Sequence, residues 1–168
     1  MNQAELMNPI GKKVNSLLEK YEYIISLLAF LTIIFHYLHI PGATTILNLV
    51  FSAYALAMFL CAFDPVLDGE DSHFKNPQLT GIINFIYKLM CMASSVGLTS
   101  ILFILSYRPG GKIMNFLSIS NFSICLLAML ILQFGFKIES KAFAVRHYYR
   151  VVILFAFSIY FMVEGSPL

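Results

Sequence analysis

The chain has 168 residues, of which 59% are apolar and 12% charged; its net charge is +2 and its mean hydropathy +0.79. A soluble domain is about 45–50% apolar and about 25% charged, so these proportions exclude an ordinary soluble domain. The near balance of 11 basic and 9 acidic side chains also leaves no basic face for a nucleic-acid partner.

Residues 1–22, "MNQAELMNPIGKKVNSLLEKYE", form an amino-terminal segment. It lacks a compact apolar stretch followed by a small-residue cleavage site, and so is not read as a signal peptide. Leu6, Ile10, Val14, Leu17 and Tyr21 recur at helical spacing opposite Lys12, Lys13 and Lys20. That pattern suits a helix lying in the cytoplasmic interface of a membrane. Pro9 and Gly11 interrupt it, and a frayed polar tail fits as well.

The next segments are apolar runs of the length that crosses a bilayer, about 18 residues or more. Tyr23 to Ile40, Ala43 to Phe63, Gly81 to Tyr107 and Ile113 to Phe136 qualify by themselves. A fifth, Val151 to Val163, has 13 uncharged residues and must borrow length from Arg146 to Arg150, whose side chains snorkel to the interface. The runs are continuous, without the alternation of a membrane β-barrel. The expected fold is an all-α integral membrane protein with about five transmembrane helices.

No charged residue occurs between Tyr23 and Phe63, so "HIPGA" at 39–43 must divide that run. Proline lacks a backbone donor and biases its predecessor away from helix, while glycine accepts dihedrals that other residues resist. Pro41 and Gly42 therefore predict a tight turn between two antiparallel spans. The device recurs 68 positions later, as Pro109 and Gly110 in "YRPGGK". At that offset Lys20 pairs with Lys88, Ser26 with Ser94, Thr32 with Ser100, Ile33 with Ile101, Phe35 with Phe103 and Ser52 with Ser120. The expected organisation is two parallel, repeated helical hairpins, at 23–64 and 81–136, and a basic linker with a fifth helix at 137–168. An acidic cytoplasmic loop at 65–80 joins the hairpins. Its carboxylates Asp68, Glu70 and Asp71, with Asp64, do not have the spacing of an EF-hand, and a solvated connector is the favoured reading over a cation site.

With the amino terminus inside, the inner segments hold Lys12, Lys13, Lys20, Lys75, Lys88, Lys137, Lys141, Arg146 and Arg150. The outer loops hold Arg108 and Lys112. This bias predicts a cytoplasmic amino terminus and an external carboxyl terminus. Arg108, Lys112, Arg146 and Arg150 are candidate contacts to lipid headgroups or a protein partner. Asn48, Asn84, Asn115 and Asn121, with Ser94, Ser95, Thr99 and Ser100, offer hydrogen bonds between helices. Cys61, Cys91 and Cys125 lie within the spans and read as small hydrophobes, not a disulfide framework.

"FHYLHIPGA" followed by "AYALAMFLCAFDP" resembles the two-span segment of the GldL/PorL family, the inner-membrane motor subunit of Bacteroidota gliding and type IX secretion. Phe35, Leu38, His39, Pro41, Gly42 and Ala43 carry the likeness in the turn. Ala55, Leu56, Phe59, Ala62, Phe63 and Pro65 carry it in the returning helix, where Asp64 replaces a glutamate. It covers roughly residues 23–67 and implies a bacterial inner-membrane location. The family's motor role is associated with an intramembrane lysine and glutamate. The positions matching them hold His36 and Tyr54 here, and Ile104 and Phe122 in the second hairpin. With no carboxylate expected inside a span, the resemblance implies the hairpin architecture without the proton-driven motor.

His36, His39 and Tyr54 remain as a candidate intramembrane polar site. The two histidines, three apart, are expected on one helix face, and hydrogen-bonded structural roles outweigh a metal, which would lack a third ligand. His147 lies at the wrong depth to share a haem with His36, so no cofactor is expected. No nucleophile elbow, zinc motif, phosphate loop or dinucleotide fingerprint is present, and a non-enzyme is expected. The leading expectation is an accessory subunit of an inner-membrane complex, in contact with lipids and other membrane subunits. A small transporter or channel for a solute or lipid, of a kind that is often oligomeric and so compatible with a homo-oligomer, and a haem- or quinone-binding redox protein are the alternatives.

Overall fold

A computed structural model of the chain describes residues 3–63, 77–135 and 145–163. These form five helices, α1 (Gln3–Tyr37), α2 (Ala43–Cys61), α3 (Pro77–Leu105), α4 (Gly111–Gly135) and α5 (Val145–Val163), and no strand occurs among the described residues. The acidic loop carboxylates and the basic linker around Lys137 and Lys141 lie outside the described residues. Among those described, three helical stretches are long and apolar enough to cross a membrane: Ala43–Cys61, Gly81–Leu105 and Gly111–Ile131.

The amino-terminal segment and the first apolar run are one helix: α1 continues through Pro9 and Gly11 into the run. It stops at Tyr37, short of the expected Ile40, because the chain closes a Schellman turn there. Ile40 N–H donates to Phe35 O at 3.1 Å and His39 N–H to His36 O at 3.1 Å. His39 takes the left-handed conformation, with φ 52°. Gly42, also left-handed at φ 82°, then caps the start of α2. The second turn repeats every feature 68 residues on. Arg108 N–H donates to Phe103 O at 2.8 Å, Tyr107 N–H donates to Ile104 O at 3.1 Å, and φ is 53° at Tyr107 and 89° at Gly110. The correspondence extends into the helices: Thr32 Oγ1 donates to Ala29 O at 2.7 Å, and Ser100 Oγ to Gly97 O at 2.8 Å.

The helices form a bundle around α3, which packs against α2, α4 and α5; α1 packs against α2, and α5 also against α4. The two turns lie at the same end, where Ser106 Oγ donates to Asn48 Oδ1 at 3.1 Å and links the hairpins. Towards the other end, Tyr87 Oη donates to Asn15 Oδ1 at 3.0 Å, tying α3 to α1. The close α3–α4 approach depends on Gly97, where an added Cβ would lie 2.9 Å from Ser118 Oγ and 3.0 Å from the Phe122 ring.

The exterior of the bundle is apolar, like its core, and a few polar side chains are buried within. Ile24, Leu27, Phe85, Phe116, Leu127 and Phe134 are exposed, while Ser100, Asn115, Ser118 and Ser158 are buried. Those four form a polar knot. Ser100 Oγ lies 3.3 Å from Asn115 Oδ1, Asn115 Nδ2 donates to Ser158 O at 2.9 Å, and the Ser118 and Ser158 hydroxyls are 3.4 Å apart. An apolar belt outside and a hydrogen-bonded polar cluster within suit a membrane-embedded bundle.

Replacing the exposed Tyr107 by glycine relieves a left-handed bulky residue and should stabilise the bundle by about 1 kcal/mol, whereas Gly42→Ala should destabilise it by about as much, both measured by unfolding in mixed micelles. Asn115→Ala removes the bond that holds α5 and should lower stability by about 1–3 kcal/mol in the same assay; an unchanged midpoint would show that α5 is held by apolar packing alone.

Candidate functional site

Concavities of the described surface include two on different faces of the α2–α3 pair. The first is a cleft of about 100 Å³, flanked by α1 and α5 and floored by α2 and α3. Helical spacing on α1 creates its acidic end. Leu18, Glu22, Ala29 and Thr32 are all buried along one stripe of that helix, so the Glu22 carboxylate turns inward at 6% exposure. Ser26 follows one turn later, Tyr54 approaches from α2, and Tyr149 stands on the first turns of α5. The rest of the lining is apolar, including Phe30, Ile33, Phe51, Leu98, Ile101 and Phe157.

The sequence expectation that no span holds a carboxylate left Glu22 unconsidered. That expectation began the span at Tyr23. In the structure α1 is one continuous helix from Gln3 to Tyr37, so Glu22 is part of the same helix as that run, and its side chain is buried in the bundle. Glu22 is thus a residue that sequence reasoning missed. Its signal was its place in the inward series 18, 22, 25, 29, 32, not its distance from the uncharged run.

The second concavity is a groove of about 350 Å³ between α2 and α3. Asn48 and Ser52 line it from α2, and Ser95 and Thr99 from α3, with Arg108 at the end nearest the turns. Ser52 is exposed, whereas Asn48, Ser95 and Thr99 are half-buried. Thr99 Oγ1 satisfies itself on Ser95 O at 2.9 Å, and the Arg108 guanidinium lies 5.7 Å from the Phe103 ring centre.

The expected trio of His36, His39 and Tyr54 is not brought together. His36 ends α1, where its Nδ1 lies 3.3 Å from Thr44 Oγ1 and its ring meets Tyr37 edge-on. His39 falls in the turn beyond the helix, exposed and left-handed, so the two histidines do not share a helix face. Tyr54 lies eleven residues into α2, in the Glu22 cleft, about 17 Å along the helix from the turn. Pro41, Gly42, Pro109 and Gly110 occupy the turns as expected. Lys112 is exposed on the first turn of α4. Arg146 and Arg150 belong to the first turns of α5, and their side chains lie outside the described residues. Among the described residues no group of three or more His, Cys, Asp or Glu side chains is arranged to hold a metal ion.

Compared with protein-family models, characterised proteins and solved structures, the chain matches none.

The cleft is open to a direct probe because Cys61, Cys91 and Cys125 are all buried. In detergent, Ser26→Cys should react with a maleimide while the parent protein stays unlabelled over the same time. Equal labelling of the two would place Ser26 outside an accessible cleft.

Proposed function

We propose that the chain is a non-catalytic subunit of a bacterial inner-membrane complex, and that a transmembrane helix of a partner packs into its α2–α3 groove. On this reading all five helices cross the bilayer, with the amino terminus in the cytoplasm and the carboxyl terminus outside. The two hairpins are copies of one ancestral unit resembling that of GldL/PorL. The shared turn geometry, repeated at an offset of 68 residues, supports the duplication.

One observation carries the subunit reading: Asn48, Ser52, Ser95 and Thr99 form a polar groove on a surface otherwise clad in apolar side chains. Lipid tails gain nothing from such a groove. Small and polar side chains let another helix approach closely and hydrogen-bond across the contact, which is how helices associate where no hydrophobic effect drives them together. Without the family's lysine and glutamate, whose matching positions are His36 and Tyr54, the role is that of a packing partner and not of a motor.

The test is affinity purification from native membranes in a mild detergent. The parent protein should carry a stoichiometric membrane partner. Ser52→Phe, which fills the groove from an exposed position, should lose that partner while remaining monodisperse. Recovery of the parent chain alone would overturn the proposal.

A further inference from the structure

The α1–α5 cleft has the form of a site for one chain of an amphiphile. Helix α1 packs on α2, and α5 on α3 and α4, but among the described residues no α1–α5 packing closes the gap between them. The cleft therefore has a floor and two walls, and its remaining side faces the surroundings of the bundle. Its length is set by α1: Glu22 and Ile33, both in the lining, are eleven residues apart, about 17 Å at 1.5 Å per residue. That is about half of a hydrocarbon core of about 30 Å, hence the depth of a single leaflet. Exposed Lys20, two residues before Glu22, marks the polar boundary of that leaflet, and Tyr149 is an interfacial type of residue at the same end.

The cleft is chemically graded along this length. Its polar end holds Glu22, Ser26, Tyr54 and Tyr149; beyond them Phe30, Ile33, Phe51 and Phe157 present only hydrocarbon. An apolar cavity of about 150 Å³ accommodates a benzene ring. The enclosed volume of about 100 Å³ thus takes part of one chain, and the open side leaves the remainder among neighbouring lipids. An ionised carboxylate only accepts hydrogen bonds, with about four lone-pair positions on its two oxygens, so it has capacity for a donor beyond its contacts within the protein. It also repels a second negative charge brought into a low-dielectric site. We propose that this cleft binds a single-chain amphiphile whose head donates hydrogen bonds to Glu22, a hydroxyl or an ammonium group, and that it rejects anionic heads. The site lies on a different face of α2 and α3 from the groove assigned to a partner helix, and the inference does not rest on that assignment.

Dodecylamine, dodecanol and dodecanoate, each with a diazirine at mid-chain, distinguish the heads at constant chain. The full-length protein in phosphatidylcholine nanodiscs is photolabelled with each, and the modified peptides are quantified by mass spectrometry. Label should fall on residues 29–33 and 153–157, with amine, alcohol or both exceeding dodecanoate by about tenfold or more, as a charge-assisted hydrogen bond implies. Amine alone identifies an ammonium head, and amine with alcohol a donor of either kind. Glu22→Gln should erase the preference, and Ser26→Phe, which fills the cleft from an exposed position, should erase the local label for all three. Equal labelling by the three heads in the parent protein, a preference for dodecanoate, or label away from these segments would overturn the proposal, whether or not the variants fold.

Discussion

Beside the buried Val151, Leu154 and Phe161, one hydrogen bond sets the register of α5 on the second hairpin, from the Asn115 amide to the Ser158 carbonyl. A fifth helix of marginal length has little to hold it against four others when lipid is as apolar as its own side chains. Asn115 gives α5 a fixed position and register, with Ser118 and Ser158 completing the contact. The positions of the first hairpin that correspond to Asn115 and Ser118 hold Leu47 and Val50. The same helix therefore finds polar partners on the second hairpin and none on the first. The cleft exists because α5 is seated there and not against α1.

Two turns of the same backbone geometry delimit the hairpins, and both place a non-glycine residue in the left-handed region. Histidine visits that region more readily than most residues, whereas tyrosine does so at a cost of about 1–2 kcal/mol. The Schellman bonds and the glycine that follows outweigh this strain. The connections are so short that all remaining residues of the uncharged run serve the helices. This brevity keeps α1 against α2 and α3 against α4, and so brings Glu22 of α1 and Tyr54 of α2 into one cleft.

The α2–α3 pair presents chemically different surfaces on its two faces. One carries small hydroxyls and an amide on an otherwise apolar exterior, and its character is that of a contact with another helix. The other floors the cleft with Phe51, Tyr54, Leu98 and Ile101, opposite the buried Glu22 of α1. The proposed partner helix and the proposed amphiphile would not compete, because α2 and α3 each contribute different side chains to the two faces.

Much of the architecture was legible in the sequence. Unbroken apolar runs require helices whose backbone groups are satisfied internally, and Pro41, Gly42, Pro109 and Gly110 mark the turns between them, the first pair in a run without charge. Asn115 and Ser100 were also recognisable as interhelical donors and acceptors, since polar groups within such runs must find partners. The site was less legible. His36 and His39 are close in sequence, but the helix ends between them. Glu22 sits beside charged residues and reads as interfacial until the continuity of α1 and its inward stripe are seen. Composition and periodicity by themselves determined an all-α chain with helices fit for a membrane, because those properties are local. Which face of each helix is covered, where α5 docks, and that Glu22 shares a cleft with Tyr54 and Tyr149 were decided only by tertiary packing, because they depend on side chains that are remote in sequence meeting at one depth.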